Sequence, residues 1–116
     1  MRNIRGVLLA FGLLLPMSAG ADAVTETCMQ TYPQEACECG SAALLEELGG
    51  EDYEAYGVIS TTAAEQQAAG AGLVDAWEVA TQAHATARGL SGSAARDEVN
   101  RFGSAHRAAI TSCAAN

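Results

Sequence analysis

Lysine is missing from this sequence: all six of its basic residues are arginine, set against 14 aspartates and glutamates, for a net charge of −8. So acidic a chain repels phosphate backbones and anionic headgroups, which excludes nucleic acid and a membrane surface as natural partners. Large side chains are scarce as well. One tryptophan, three tyrosines and two phenylalanines are the only aromatics, and much of the 49% hydrophobic fraction is alanine, so the core must be thin. β-branched runs are lacking and nothing alternates with period two for long, which leaves helix as the one regular structure expected. Also missing are the nucleophile elbow GxSxG, the zinc-protease HExxH, a P-loop, a Rossmann fingerprint and the haem-attachment CxxCH. No catalytic activity is evident, no residue is assigned a catalytic role, and no cofactor is expected.

What is present starts with Arg2 and Arg5, which precede a nearly unbroken apolar run from Gly6 to Met17 and then Ser18-Ala19-Gly20-Ala21-Asp22-Ala23. Positive end, apolar stretch and small residues, in that order, form the pattern of a cleavable signal peptide. The run is about 12 residues where a spanning helix needs roughly 20, and no second run follows. Residues 1–23 are read as a signal peptide and 24–116 as a single helical domain, periplasmic or secreted, with no stable membrane anchor. Cleavage fits after Ala21 or after Ala23, with a slight preference for Ala23. The first cysteine, Cys28, stands too far from the small residues for lipidation. After Ala23, four arginines face 13 acidic residues, a net charge of −9. Such a surface suits a solvated, monodisperse exported protein or one with a basic protein partner.

Capping signals divide the domain. A short helix from about Val24 to Gln30 carries Cys28. Thr31 and Gln34 have capping-box spacing, with Pro33 in the first turn of a second helix that runs to Leu48. Gly49-Gly50 ends it, and Asp52 is placed to cap a third helix through Tyr53, Tyr56 and Ile59. Thr62 and Glu65 repeat the capping-box spacing, so a fourth helix is expected from Ala63, weakened at Gly70 and Gly72, and continuing from Leu73 to Arg88. Gly89 then fits a left-handed cap, Arg88 complements the helix dipole, and Ser91 or Ser93 opens a last helix to about Cys113. The expected fold is all-α, a small disulfide-stapled bundle of four to five helices.

Four cysteines allow three pairings. Cys37 and Cys39 point about 200° apart on a helix, so they do not bond to each other. On the second helix Cys37 shares a face with Leu44 and Leu48, and Cys39 falls with Ala43 and Glu46. On the last helix Val99, Phe102, His106, Ala109, Ile110 and Cys113 form one apolar stripe. Matching core-facing cysteines favours Cys37–Cys113 with Cys28–Cys39; the alternative exchanges the two partners. A metal site is the competing reading of these cysteines, but Cys-x-Cys alone makes a poor one.

His84 and His106, the groups most apt to titrate near neutral pH, lie on otherwise apolar stripes. With their helices antiparallel the imidazoles are placed to approach one another. No metal site is assigned, but these two residues are its only candidates. Core histidines bonded to a carbonyl or carboxylate are the plainer expectation. Gly103, inside the last helix, suggests a close approach of another helix, and Arg107 beside it a snorkelling or ion-paired side chain. The acidic pairs Glu46-Glu47, Glu51-Asp52 and Asp97-Glu98 diverge on a helix, and the last two sit where a helix N-terminus attracts negative charge.

Cys28…Cys37-Glu38-Cys39 opening a helical domain, with His106-Arg107-Ala108-Ala109-Ile110 leading into Cys113, resembles small exported helical four-cysteine proteins of Gram-negative bacteria that are uncharacterised. The resemblance implies export and a helical fold and carries no activity. Size, acidity and missing catalytic motifs together point to a periplasmic protein-interaction or accessory module of the immunity, inhibitor or envelope-accessory type, its partner another periplasmic protein. The alternatives are an acid-stress periplasmic chaperone, which it is similar to in size and export, and a small metal-binding protein using the two histidines.

Overall fold

The computed structural model describes residues Ala19–Ala115, with side chains from Ala23 onward; the charged and apolar parts of the expected signal peptide lie outside the described residues. Five helices and no strand occur among the described residues: α1 (Ala19–Cys28), α2 (Gln34–Leu48), α3 (Gly50–Ala68), α4 (Leu73–Arg88) and α5 (Gly92–Ala115). The all-α disulfide-stapled bundle is therefore what the chain forms.

Backbone chemistry at the junctions explains most of the boundaries. Pro33 is the residue before α2, with φ −65° and ψ 153°, and its carbonyl accepts the Cys37 N–H at 3.1 Å. No side chain caps that end, and Gln34 donates instead to Glu38 one turn on, at 2.8 Å, so the expected Thr31–Gln34 box does not form. Gly49 (φ +89°) joins α2 to α3: its N–H donates to Leu45, and its carbonyl accepts from Tyr53. That φ favours glycine. Asp52 caps nothing and lies in the first turn of α3. Gly89 takes the left-handed conformation expected of it (φ 66°, ψ 38°), and Leu90 N–H reaches back to Ala85. Ser91 Oγ accepts the Ala94 N–H at 3.1 Å and caps α5.

The expected helix start at Ala63 is absent, because α3 passes through it without a break. Thr61 and Thr62 donate their hydroxyls to the carbonyls of Gly57 and Val58, four residues back, at 2.9 and 3.0 Å. A threonine bonded in this way is a helix-interior residue and caps nothing. The turn comes later, at Gly70 (φ +106°).

α3 is packed by α1, α2 and α4, and α5 lies on α2 and α4. Phe102, Leu44, Ile59 and Val24 are fully buried, joined by Tyr53, Tyr56 and the alanines Ala63, Ala76 and Ala80. A second, smaller cluster joins Cys28, Ala36, Cys37 and Ile110. Thr25 and Ser41 hydroxyls meet at 2.8 Å where α1 touches α2.

The cysteines pair as Cys28–Cys37 and Cys39–Cys113, which corrects the favoured Cys37–Cys113 and Cys28–Cys39 and is the exchanged alternative. Cys37 does face the core, as its periodicity indicates, but so does Cys28, at the end of the adjoining helix. These two close the hairpin locally. α5 crosses α2 at Gly40, where Ile110 stands, so Cys113, one turn beyond Ile110, meets Cys39, the residue before Gly40.

Gly40 also takes the role expected of Gly103. A Cβ on Gly40 would lie 2.9 Å from Ile110 Cγ1 and 3.3 Å from its Cα, whereas one on Gly103 would meet only Arg107 Nη1 at 3.4 Å. The close helix contact is therefore α2 on α5 at Gly40. Gly40→Ala gains about 1 kcal/mol of helix propensity and loses about 1–3 kcal/mol to overpacking against a backbone. Urea unfolding is expected to show G40A less stable than wild type and G103A more stable; a stabilised G40A would contradict the packing described.

Candidate functional site

The ends of three helices bring four charged or titratable side chains together. In an antiparallel arrangement the start of α3, the end of α4 and the start of α5 share one end of the bundle, and Asp52, His84, Arg88 and Glu98 come from those segments. His84 Nε2 lies 2.6 Å from Glu98 Oε1, Arg88 donates to the same oxygen at 3.2 Å and to Asp52 Oδ1 at 2.9 Å, and Arg101 approaches Glu98 Oε2 at 3.6 Å. A carboxylate only accepts, so Nε2 carries the proton toward Glu98. Glu98 thus ties α4 to α5, and Asp52 ties α3 to both through Arg88.

His84 and His106 are both buried, as their stripes indicate, but they do not form a pair. Edge-to-face contacts run from His84 to Phe102 (6.2 Å between centroids), Phe102 to Tyr56 (5.9 Å) and Tyr56 to His106 (5.4 Å), so two aromatic rings intervene. Among the described residues no group of three or more His, Cys, Asp or Glu is placed to hold a metal ion.

His106 has an environment of its own. Its Nδ1 is 3.3 Å from the Tyr56 hydroxyl, while Nε2 is buried with no hydrogen-bond partner. That orphaned atom costs about 1–3 kcal/mol in either tautomer. Burial, helped by the neighbouring Arg107 charge, lowers the His106 pKa below its ordinary 6.5, and burial raises that of Tyr56.

The charged cluster closes one end of a groove of about 430 Å³ between α3 and α4. Its walls are small: Ala55, Ala80, Ala83 and Ala87 face one another, with Val58 at the rim, 59% exposed, and Ile59 beneath. Glu51 and Glu54 border it beside His84 and Arg88. Single-carbon walls let a helix approach to the lower part of the usual 8–10 Å interaxial range. Compared with known proteins, the chain matches no family model, no curated protein and no solved structure.

Of the residues singled out from sequence, His84 enters this site and His106 belongs to the core. Asp52, Arg88 and Glu98 carry only helix-end signals in the sequence, and nothing in their spacing shows that they converge. Asp52 and Arg88 do flank junctions, whereas Glu98 lies in the second turn of α5, beyond the first turn, which holds no acid, so its expected place at the helix start is corrected.

His106 makes stability depend on pH with a definite sign. Its native pKa lies below the unfolded value of 6.5, so the unfolded chain takes up the proton first. This contribution is intact above pH 6.5 and is lost as pH falls from there through the lowered native pKa. Urea-unfolding free energies of wild type are therefore expected to decline over that interval, and His106→Gln is expected to flatten the decline. Parallel curves for the two proteins would contradict it.

Proposed function

We propose that this protein is an exported, non-catalytic interaction module, periplasmic or secreted, whose α3–α4 groove receives an amphipathic helix of another protein. One observation carries the reading: a concave face walled by alanine and valine that no helix covers among the described residues, bordered by acids at one end. Small walls suit a helix backbone, and Glu51 and Glu54 suit basic residues flanking its apolar stripe. Glu54 has no ion-pair partner among the described residues, so it is free to form one across an interface. Two disulfides in so short a chain support an oxidising compartment, and among the described residues no helix is long and apolar enough to cross a membrane.

Binding also accounts for the economy of the site better than chemistry does. His84 is held by Glu98 and Arg88 is occupied by two carboxylates, and among the described residues their hydrogen bonds go to these carboxylates. Their joint effect is to fix α3, α4 and α5 at the groove's end.

Ala83 is exposed in the groove wall, so Ala83→Glu introduces a charge into the proposed contact at a cost to folding within about 0.5 kcal/mol. Affinity capture from periplasmic extract under non-reducing conditions is expected to retain a partner on the wild-type protein and lose it on A83E. The same proteins retained equally by both would overturn the assignment of this face.

A further inference from the structure

α4 borders a second groove, of about 440 Å³, which it shares with α5 and which has no lining residue in common with the first. Its volume falls in the range of small-molecule sites, about 300–1,000 Å³. Leu73 and Val74 stand in its wall 61% and 79% exposed, with the half-buried Trp77 one turn on and the buried Tyr56 of α3 behind them. Two arginines line the same groove, in a chain with no lysine.

Those two arginines differ. Arg96 makes two hydrogen bonds to the carboxylate of Glu78, at 3.0 and 3.1 Å, and the pair cancels in charge. Arg88 and Arg101 likewise hold carboxylates. Arg107 alone among the described arginines has none; its guanidinium donates to the neutral Ser104 hydroxyl at 3.3 Å. In a chain carrying 14 acidic residues, a guanidinium without a carboxylate beside an exposed apolar wall leaves a local charge of +1 next to a surface that gains by being covered.

We propose that this groove binds a carboxylate with an alkyl tail, a medium-chain fatty acid in chemical class, Arg107 taking the carboxylate and Leu73, Val74 and Trp77 the tail. The acidic surface elsewhere does not prevent this. At physiological salt its field decays over about 8 Å, so a carboxylate in contact with Arg107 responds chiefly to that guanidinium. A guanidinium also presents a fork matched to a carboxylate, which makes the contact directional. The site is independent of the α3–α4 groove, so either assignment stands if the other fails.

Trp77 is the sole tryptophan and lies in the groove, which gives a direct readout. Titration with decanoate below its micellar concentration is expected to shift Trp77 emission saturably. The uncharged 1-decanol is expected to bind about tenfold more weakly or worse. Arg107→Gln is expected to weaken decanoate about tenfold with unchanged circular dichroism. Val74→Glu, a substitution at an exposed position that puts a like charge beside the tail, is expected to weaken it as well. No saturable shift, equal binding of decanol, or R107Q and V74E that both bind decanoate as wild type does would each overturn the proposal.

Discussion

The Cys39–Cys113 bridge spans 74 residues and holds the last turn of α5 against α2. A cross-link over so long a loop restricts the unfolded chain by about 4–5 kcal/mol on the chain-entropy view, against a total stability of about 5–15 kcal/mol for a domain. The large side chains buried without exposure are few, Phe102 and Leu44 chief among them, so a covalent contribution of that size matters here. Because α5 is seated at this end, Ile110 rests on Gly40 and Phe102 enters the centre between His84 and Tyr56. Further along the same helix Glu98 reaches His84 and Arg88. Cys28–Cys37, by contrast, closes only a hairpin and orders the junction of α1 with α2.

Two kinds of surface result from this seating. Between α3 and α4 the walls are alanine and valine and the bordering charge is acidic, which suits an apolar helix with basic flanks. Between α4 and α5 leucine, valine and tryptophan line the groove alongside Thr81, Asn100 and the Glu78–Arg96 pair, and the uncompensated charge is one arginine, which suits an anion with an apolar tail. Both depend on α4, which packs on α3 and α5 through small buried side chains, Ala76 and Ala80 among them, and is tied at one end by the Glu98 and Asp52 contacts. The ion pairs of Arg88 are about a quarter exposed, so each is worth little alone, and their value lies in holding three helix ends in one arrangement.

Much of the fold was legible in the residues, and the failures have common causes. Gly49, Gly89 and Ser91 mark helix ends through backbone conformations and bonds that depend on local sequence, and they stand where expected. Thr62 with Glu65 has the same outward signal as a cap, yet in a continuing helix its hydroxyl finds the carbonyl of Val58. Spacing cannot separate those two uses of a threonine. Apolar stripes placed Cys37, Phe102 and His106 toward the interior correctly, but the disulfide pairing followed from where α5 crosses α2, which is a rotation between helices. Gly40 and Gly103 illustrate the same limit: both are glycines inside helices, and only the crossing point distinguishes them. Of the site, His84 was visible as a buried histidine, whereas its partners required the alternation of helix directions.

The most direct test of the seating of α5 is the disulfide connectivity of the unreduced protein. Trypsin cannot resolve it, since no arginine or lysine separates Cys28, Cys37 and Cys39, but Glu35 and Glu38 do. Cleavage after glutamate followed by mass spectrometry without reduction is expected to give fragment 27–35 joined to 36–38, and 39–46 joined to 99–116. Fragment 27–35 joined to 39–46, with 36–38 joined to 99–116, would contradict the account.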